Sequence, residues 1–207
     1  MRSDLIEHLE NLAVPPVIDV LGKWVHLPNA RTGTTSIDEG PLRDRRLLRN
    51  RDVNIWQTVW ENLIVPNEGI VLFTFVRNPW DRICSAFHQC RDRAKNPDNK
   101  IDETWVFDEW VKRVLAVKGP GVNNHFAEQY PTAYLNKYRF GFVGRFEEMD
   151  TDWERLSRTI GVREDLPHKN ASPHGSYIDH YDTECVQIVE ELYKRDIEAF
   201  GYKFGEE

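Results

Sequence analysis

The stretch IVLFTFV, from Ile70 to Val76, constrains this chain more than any other. A continuous run of apolar, β-branched and aromatic residues is what a strand buried on both faces needs, and such strands belong to parallel sheets covered by helices. A shorter run, Trp24 to Leu27, is also apolar and β-favouring, and Pro28-Asn29 stops it. Helical patterns fill much of the rest, near 5–12, 35–48, 55–64, 80–95, 103–117, 152–160 and 183–200. Loops are expected over 96–102 and 118–124, where Pro, Gly and Asn gather. Strands alternating with helices predict an α/β fold with a central parallel sheet flanked on both faces. No repeat or linker divides the chain, which reads as one domain over 1–207.

Both strands hand over to turns with anion-binding chemistry. After the first, Thr32 to Ser36 form a small-residue turn leading into a helix. Amide groups at a helix start point outward, the helix dipole adds positive potential, and Gly33 admits an anion close to the backbone. Arg31 adds a full charge, and Thr34, Thr35 and Ser36 add hydroxyls. The nucleotide-triphosphatase signature G-x-x-x-x-G-K-[ST] is absent, since Pro28 stands five before Gly33 and Thr34 follows it. An ordinary helix cap explains the same residues.

After the second strand comes Arg77, then Asn78-Pro79 to start a helix, with Ser85 about two turns along it. An arginine at a strand's carboxyl end and a serine on the next helix can converge on one phosphate, the first as a fork and the second as a directional donor. Open α/β sheets bind ligands at that end of their strands. The competing reading is a surface pair of Arg77 with Asp81 or Asp92.

In order and spacing, ARTGTTS (30–36) and RNPWDRICS (77–85) resemble the sulfotransferases that use 3′-phosphoadenosine 5′-phosphosulfate (PAPS). The likeness is strongest to the carbohydrate-type branch, sulfotransferase family 2, whose loops read P-K-T-G-[GT]-T-S and R-[ND]-P-[WYF]-[DE]-R-x-x-S. FVGRFEEMDTDWERL (142–156), LPHKNASPHGSYIDHY (166–181) and YKRDIEAFGYKF (193–204) are similar to that family's third strand and helix, its late cofactor-covering loop and its closing helix. Two departures stand out: Arg31 replaces the loop lysine, and 37–73 carries no histidine where several relatives have one.

The resemblance implies a three-layer P-loop nucleotide-kinase-like fold and transfer of a sulfuryl group from PAPS to a hydroxyl. Arg31, Thr32, Gly33, Thr34, Thr35 and Ser36 would hold the 5′-phosphosulfate, and Arg77 with Ser85 the 3′-phosphate. Arg145 and Phe146 would sit near the adenine, and Lys169, Ser172 and Tyr177 would cover the cofactor. Positioning and charge stabilisation on the leaving oxygen dominate such chemistry, with a base for the acceptor proton and no required metal. His125, in an H-F-A-E-Q string like one the family carries, is the first candidate base; Glu39 and His88 are the others. A kinase of related fold and a bisphosphate-binding module without chemistry are the alternatives.

Composition sets limits. The 207 residues carry 27 basic and 34 acidic groups, a net charge of −7, which argues against a general nucleic-acid binder. Arg43, Arg45, Arg46, Arg49 and Arg51 crowd one segment, either lining an acceptor cleft for an anionic or carbohydrate substrate or forming a solvated helix face. Three cysteines without metal spacing suit a reducing compartment, and the acidic N-terminal stretch lacks an apolar core, so a cytoplasmic enzyme without a membrane span is expected, or else a catalytic domain separated from its anchor. No sequence feature selects an oligomeric state.

Overall fold

The apolar run at 71–76 forms an interior strand of a mixed sheet in the computed structural model, which describes residues 16–19, 23–49, 58–64, 69–91, 101–134, 141–162, 164–167 and 175–206. In chain order the elements are β1 (Val17–Asp19), β2 (Trp24–His26), α1 (Thr34–Asp38), β3 (Arg46–Arg49), β4 (Val71–Val76), α2 (Pro79–Arg91), α3 (Phe107–Trp110), α4 (Ala116–Lys118), α5 (Tyr130–Tyr134), β5 (Gly141–Arg145), α6 (Met149–Ile160), α7 (Thr183–Leu192) and α8 (Lys194–Phe200). A π-helical stretch, Val111–Leu115, joins α3 to α4, and another spans Trp60–Ile64. Three-residue-per-turn helices occupy Arg43–Arg45, Pro120–Val122 and Tyr177–His180. By its contacts the chain divides into two compact units, Met1–Val76 with Gln129–Asn170, and Arg77–Glu128 with Ala171–Glu207. The expected N-terminal helix at 5–12 lies outside the described residues.

The first unit holds the whole sheet, in the order β3-β1-β2-β4-β5. β2, β4 and β5 run parallel, as the buried apolar run requires. The expectation of a parallel sheet fails at β1, which runs opposite to the other four strands and so pairs antiparallel with both β2 and β3. Four residues separate Asp19 from Trp24, far too few for the crossover of a dozen or more that a parallel pair needs. Lys23 N, donating to Asp19 Oδ2 at 3.3 Å, closes that hairpin.

A helix over 35–48 is also overturned. α1 stops at Asp38, and Gly40-Pro41 follows: the proline lacks a donor, and its ring disfavours helical backbone in the residue before it. The chain then turns through Arg43–Arg45 into β3, so Arg46 and Arg49 belong to a strand and not to a helix face; Arg51 lies outside the described residues.

Burial explains the rest of this unit. On α6, Trp153, Leu156 and Ile160 share one face and join Val17, Trp24, Ile37, Phe73 and Phe75 in a single core. Each such side chain contributes about 1.5–3 kcal/mol when fully buried. Gly144 on β5 stands opposite Phe75, and a Cβ there would meet the Phe75 ring at 2.3 Å, so only glycine leaves room for that ring.

The second unit is built on aromatic contacts. Phe87 on α2 meets Phe107 at 5.3 Å and Trp110 at 5.5 Å, and Trp110 meets Phe126 at 4.7 Å. Asn78 Oδ1 caps α2 by accepting from Trp80 N at 3.1 Å, with Pro79 in the first turn as expected. The helix expected over 183–200 breaks at Tyr193, whose buried hydroxyl donates to Phe126 O at 2.6 Å. Among the described residues no helix is long and apolar enough to cross a membrane.

Candidate active site

Asn29 opens the first turn. Its buried amide donates to Thr74 Oγ1 at 3.1 Å and Phe75 O at 3.0 Å, which ties the turn to β4. Its carbonyl accepts from Thr32 Oγ1 at 2.9 Å and Thr34 Oγ1 at 2.7 Å. The Thr34 hydroxyl, read from the sequence as an anion donor, and that of Thr32 therefore brace the turn's own backbone. Thr35 is half-buried and Ser36 buried at the start of α1.

Backbone strain marks the same turn. Arg31 has φ 65°, the one described non-glycine residue with positive φ, and Gly33 follows with φ 77°. A left-handed conformation costs a residue with a Cβ roughly 1–2 kcal/mol, and such strain collects where function requires a shape. At Gly33 a Cβ would also lie 2.5 Å from Met149 Cε and 3.7 Å from the Phe146 ring. Gly33→Ala is therefore expected to cost about 1–2 kcal/mol through the backbone alone, since the Met149 tip can move aside. A urea titration checks this, and an unchanged midpoint would show that the turn relaxes freely.

A buried pair fastens the turn's two ends. His26 at the end of β2 lies 2.8 Å through Nδ1 from Asp38 Oδ1 at the end of α1, and both side chains are about 1% exposed. The His26 ring stacks on Phe73, centroids 4.6 Å apart and planes 6° apart. Sequence reasoning missed this pair, as it missed Asn29; the one signal was a histidine inside an apolar strand.

Phe146 follows β5, is half-buried, and donates its amide to Val76 O at 2.8 Å. The fold thus brings the aromatic expected near an adenine beside Gly33. Arg145 N donates to the buried Asp152 Oδ2 at 2.8 Å, whose Oδ1 accepts from Arg155 Nη1 at 3.1 Å. Glu39 is exposed at the end of α1. Lys169 and Ser172 lie outside the described residues.

In the second unit Arg77 is 8% exposed and grips Asp81 with two bonds, Nε to Oδ2 at 2.7 Å and Nη2 to Oδ1 at 2.9 Å. The pairing weighed from sequence thus exists, but in a largely buried setting. Ser85 is fully buried on α2. Tyr177 is buried, its hydroxyl accepting from Gly205 N at 2.8 Å and donating to Glu206 O at 3.2 Å. Asn78 Nδ2 lies 3.4 Å from that hydroxyl and donates to Lys203 O at 3.0 Å and Glu206 O at 3.1 Å.

His125 is half-buried in a segment whose backbone is held twice. Its amide donates to Asn123 Oδ1 at 2.8 Å, and its carbonyl accepts from Arg82 Nη1 at 3.2 Å. Arg82 also donates to Ala127 O at 2.7 Å and lies over the Tyr193 ring. Burial lowers the Arg82 pKa, with Tyr193 and Asp196 opposing that effect. Arg82 is the second arginine of RNPWDR, and its role in holding the His125 segment was not read from sequence. Burial pushes the Cys84 and Cys185 thiols up to about 12, so neither is a nucleophile near neutral pH.

Neither a curated protein nor a solved structure matches the chain. A family model described as "Sulfotransferase family" matches residues 30–203, from the start of the strained turn to the segment that anchors Asn78. The chain belongs to the sulfotransferase family 2, and its family supports transfer of a sulfuryl group.

Proposed function

We propose that this chain moves the sulfuryl group of PAPS to an acceptor hydroxyl and releases adenosine 3′,5′-bisphosphate, on a P-loop nucleotide-kinase-like scaffold. The observation that carries the reading is the turn at 30–36, where a strained arginine and a glycine follow a strand. Arg31 and the turn's amides, with Thr35 and Ser36, take the 5′-phosphosulfate. Thr32 and Thr34 hold the turn's shape through Asn29. Arg77, oriented by Asp81, and Ser85 take the 3′-phosphate, and Phe146 offers a ring face to the adenine.

In the reaction the acceptor oxygen bonds to sulfur while the bond from sulfur to the 5′-phosphate oxygen breaks. Negative charge grows on that phosphate, and Arg31 stabilises it. His125 accepts the hydroxyl proton, with Glu39 the next candidate. Arg82 supports the base by fixing the main chain on either side of Phe126. An anionic or carbohydrate acceptor and a cytoplasmic setting complete the reading.

Calorimetry with adenosine 3′,5′-bisphosphate, ATP and ADP tests it. Tight binding of the bisphosphate without magnesium is the expected result, and a magnesium-dependent preference for ATP would overturn it in favour of a kinase. Turnover of labelled PAPS over sugars, phenols and alcohols then separates an enzyme from a module that binds without reacting.

A further inference from the structure

Cys84, His88 and His180 meet in the second unit, each offering one ligand atom, and these atoms all lie within 4.8 Å of one another. The sequence shows only a cysteine and a histidine four apart, and the notion of three unconnected cysteines without metal spacing stops there. Four positions along a helix place Cys84 and His88 on one face of α2, as two metal ligands require. The third comes from the helical turn Tyr177–His180, ninety-two positions after His88. Its ring lies 5.0 Å from that of His88, edge to face.

From this arrangement we propose a binding site for Zn²⁺ formed by Cys84 Sγ and the imidazoles of His88 and His180. One thiolate and two imidazoles are a donor set that zinc takes, at about 2.3 Å for sulfur and 2.0–2.1 Å for nitrogen. Ligand atoms already within 4.8 Å need only small side-chain rotations to close on the ion. A cation also removes the obstacle that burial sets against a thiolate, because a coordinating thiol gives up its proton on binding. That proton leaves to solvent, and the site keeps a net charge of +1.

The surroundings suit a retained ion. Phe87 stands edge-on to His88 at 5.5 Å, and Phe107 lies 6.1 Å from His180, so an aromatic ring backs each imidazole. Three protein donors leave a fourth position for water or a ligand group. Bound zinc would fasten the turn carrying Tyr177 to the helix carrying Ser85. The site stands apart from the sulfotransferase reading, since it needs neither PAPS nor turnover.

The test uses the full chain, stripped with a chelator and titrated with Zn²⁺, and with Co²⁺ as a spectroscopic probe. One Zn²⁺ per chain, a tetrahedral Co²⁺ spectrum with a sulfur-to-cobalt charge-transfer band, and a melting temperature that rises with Zn²⁺ are expected. Cys84→Ser should abolish the charge-transfer band. His88→Gln and His180→Gln should each weaken Zn²⁺ by at least about 100-fold, the upper end of what even outer-shell partners cost. Both histidines are only half-buried, so these variants keep the test alive if Cys84→Ser fails to fold. Absence of stoichiometric zinc, or equal zinc affinity in wild type and both histidine variants, overturns the proposal.

Discussion

Arg77→Ala is expected to weaken adenosine 3′,5′-bisphosphate by roughly 1.5–3 kcal/mol, the worth of a hydrogen bond to a charged group. That is about a 10- to 150-fold rise in Kd. The guanidinium is held by Asp81 through Nε and Nη2, so the side chain enters binding already oriented. Pre-ordering removes part of the entropy that an exposed arginine would lose on gripping a phosphate. The informative quantity is the ratio of affinities for the bisphosphate and for adenosine 5′-monophosphate. If Arg77 holds the 3′-phosphate, that ratio collapses in the variant. A purely structural pair with Asp81 would lower the melting temperature and leave the ratio intact, which would sink the assignment. Arg77→Lys should recover only part of the loss, because an ammonium cannot reproduce the planar fork.

His26→Ala should destabilise the protein by about 3–5 kcal/mol, the usual cost of removing one partner from a buried pair. Both side chains are about 1% exposed, so solvent cannot replace the lost imidazole. The stacked contact with Phe73 disappears as well, which leaves a hole beside the core. For a chain of this length the melting temperature should fall by roughly 6–20 °C. Asp38→Asn should cost less, since an amide oxygen still accepts a bond. The double variant should be less harmful than the sum of the singles, the signature of direct coupling. A loss below about 1 kcal/mol in His26→Ala would mean that the turn does not depend on this clasp.

Much of this architecture was legible because its elements carry strong local signals. β4 announces itself by an unbroken apolar run, α6 by Trp153, Leu156 and Ile160 on one face, and α2 by Asn-Pro at its start. β3 was hidden because RLLR, in an arginine-rich and leucine-rich segment, favours a helix on propensity. It becomes a strand through pairing with β1, where Val17 meets Arg49 and Ile18 meets Leu48. β1 itself is three residues long beside two prolines, too short for a period to show. The site divided along similar lines. Charges and glycines in the two motifs stood out, whereas Asn29, Asp38 and Arg82 act through partners distant in sequence, and no spacing rule marks them.

The asparagine of the RNP string draws its amide acceptors from carbonyls 125 and 128 positions downstream. Proteolytic nicking or truncation that removed 203–206 would therefore loosen the neighbour of Arg77 without altering a single residue of that motif.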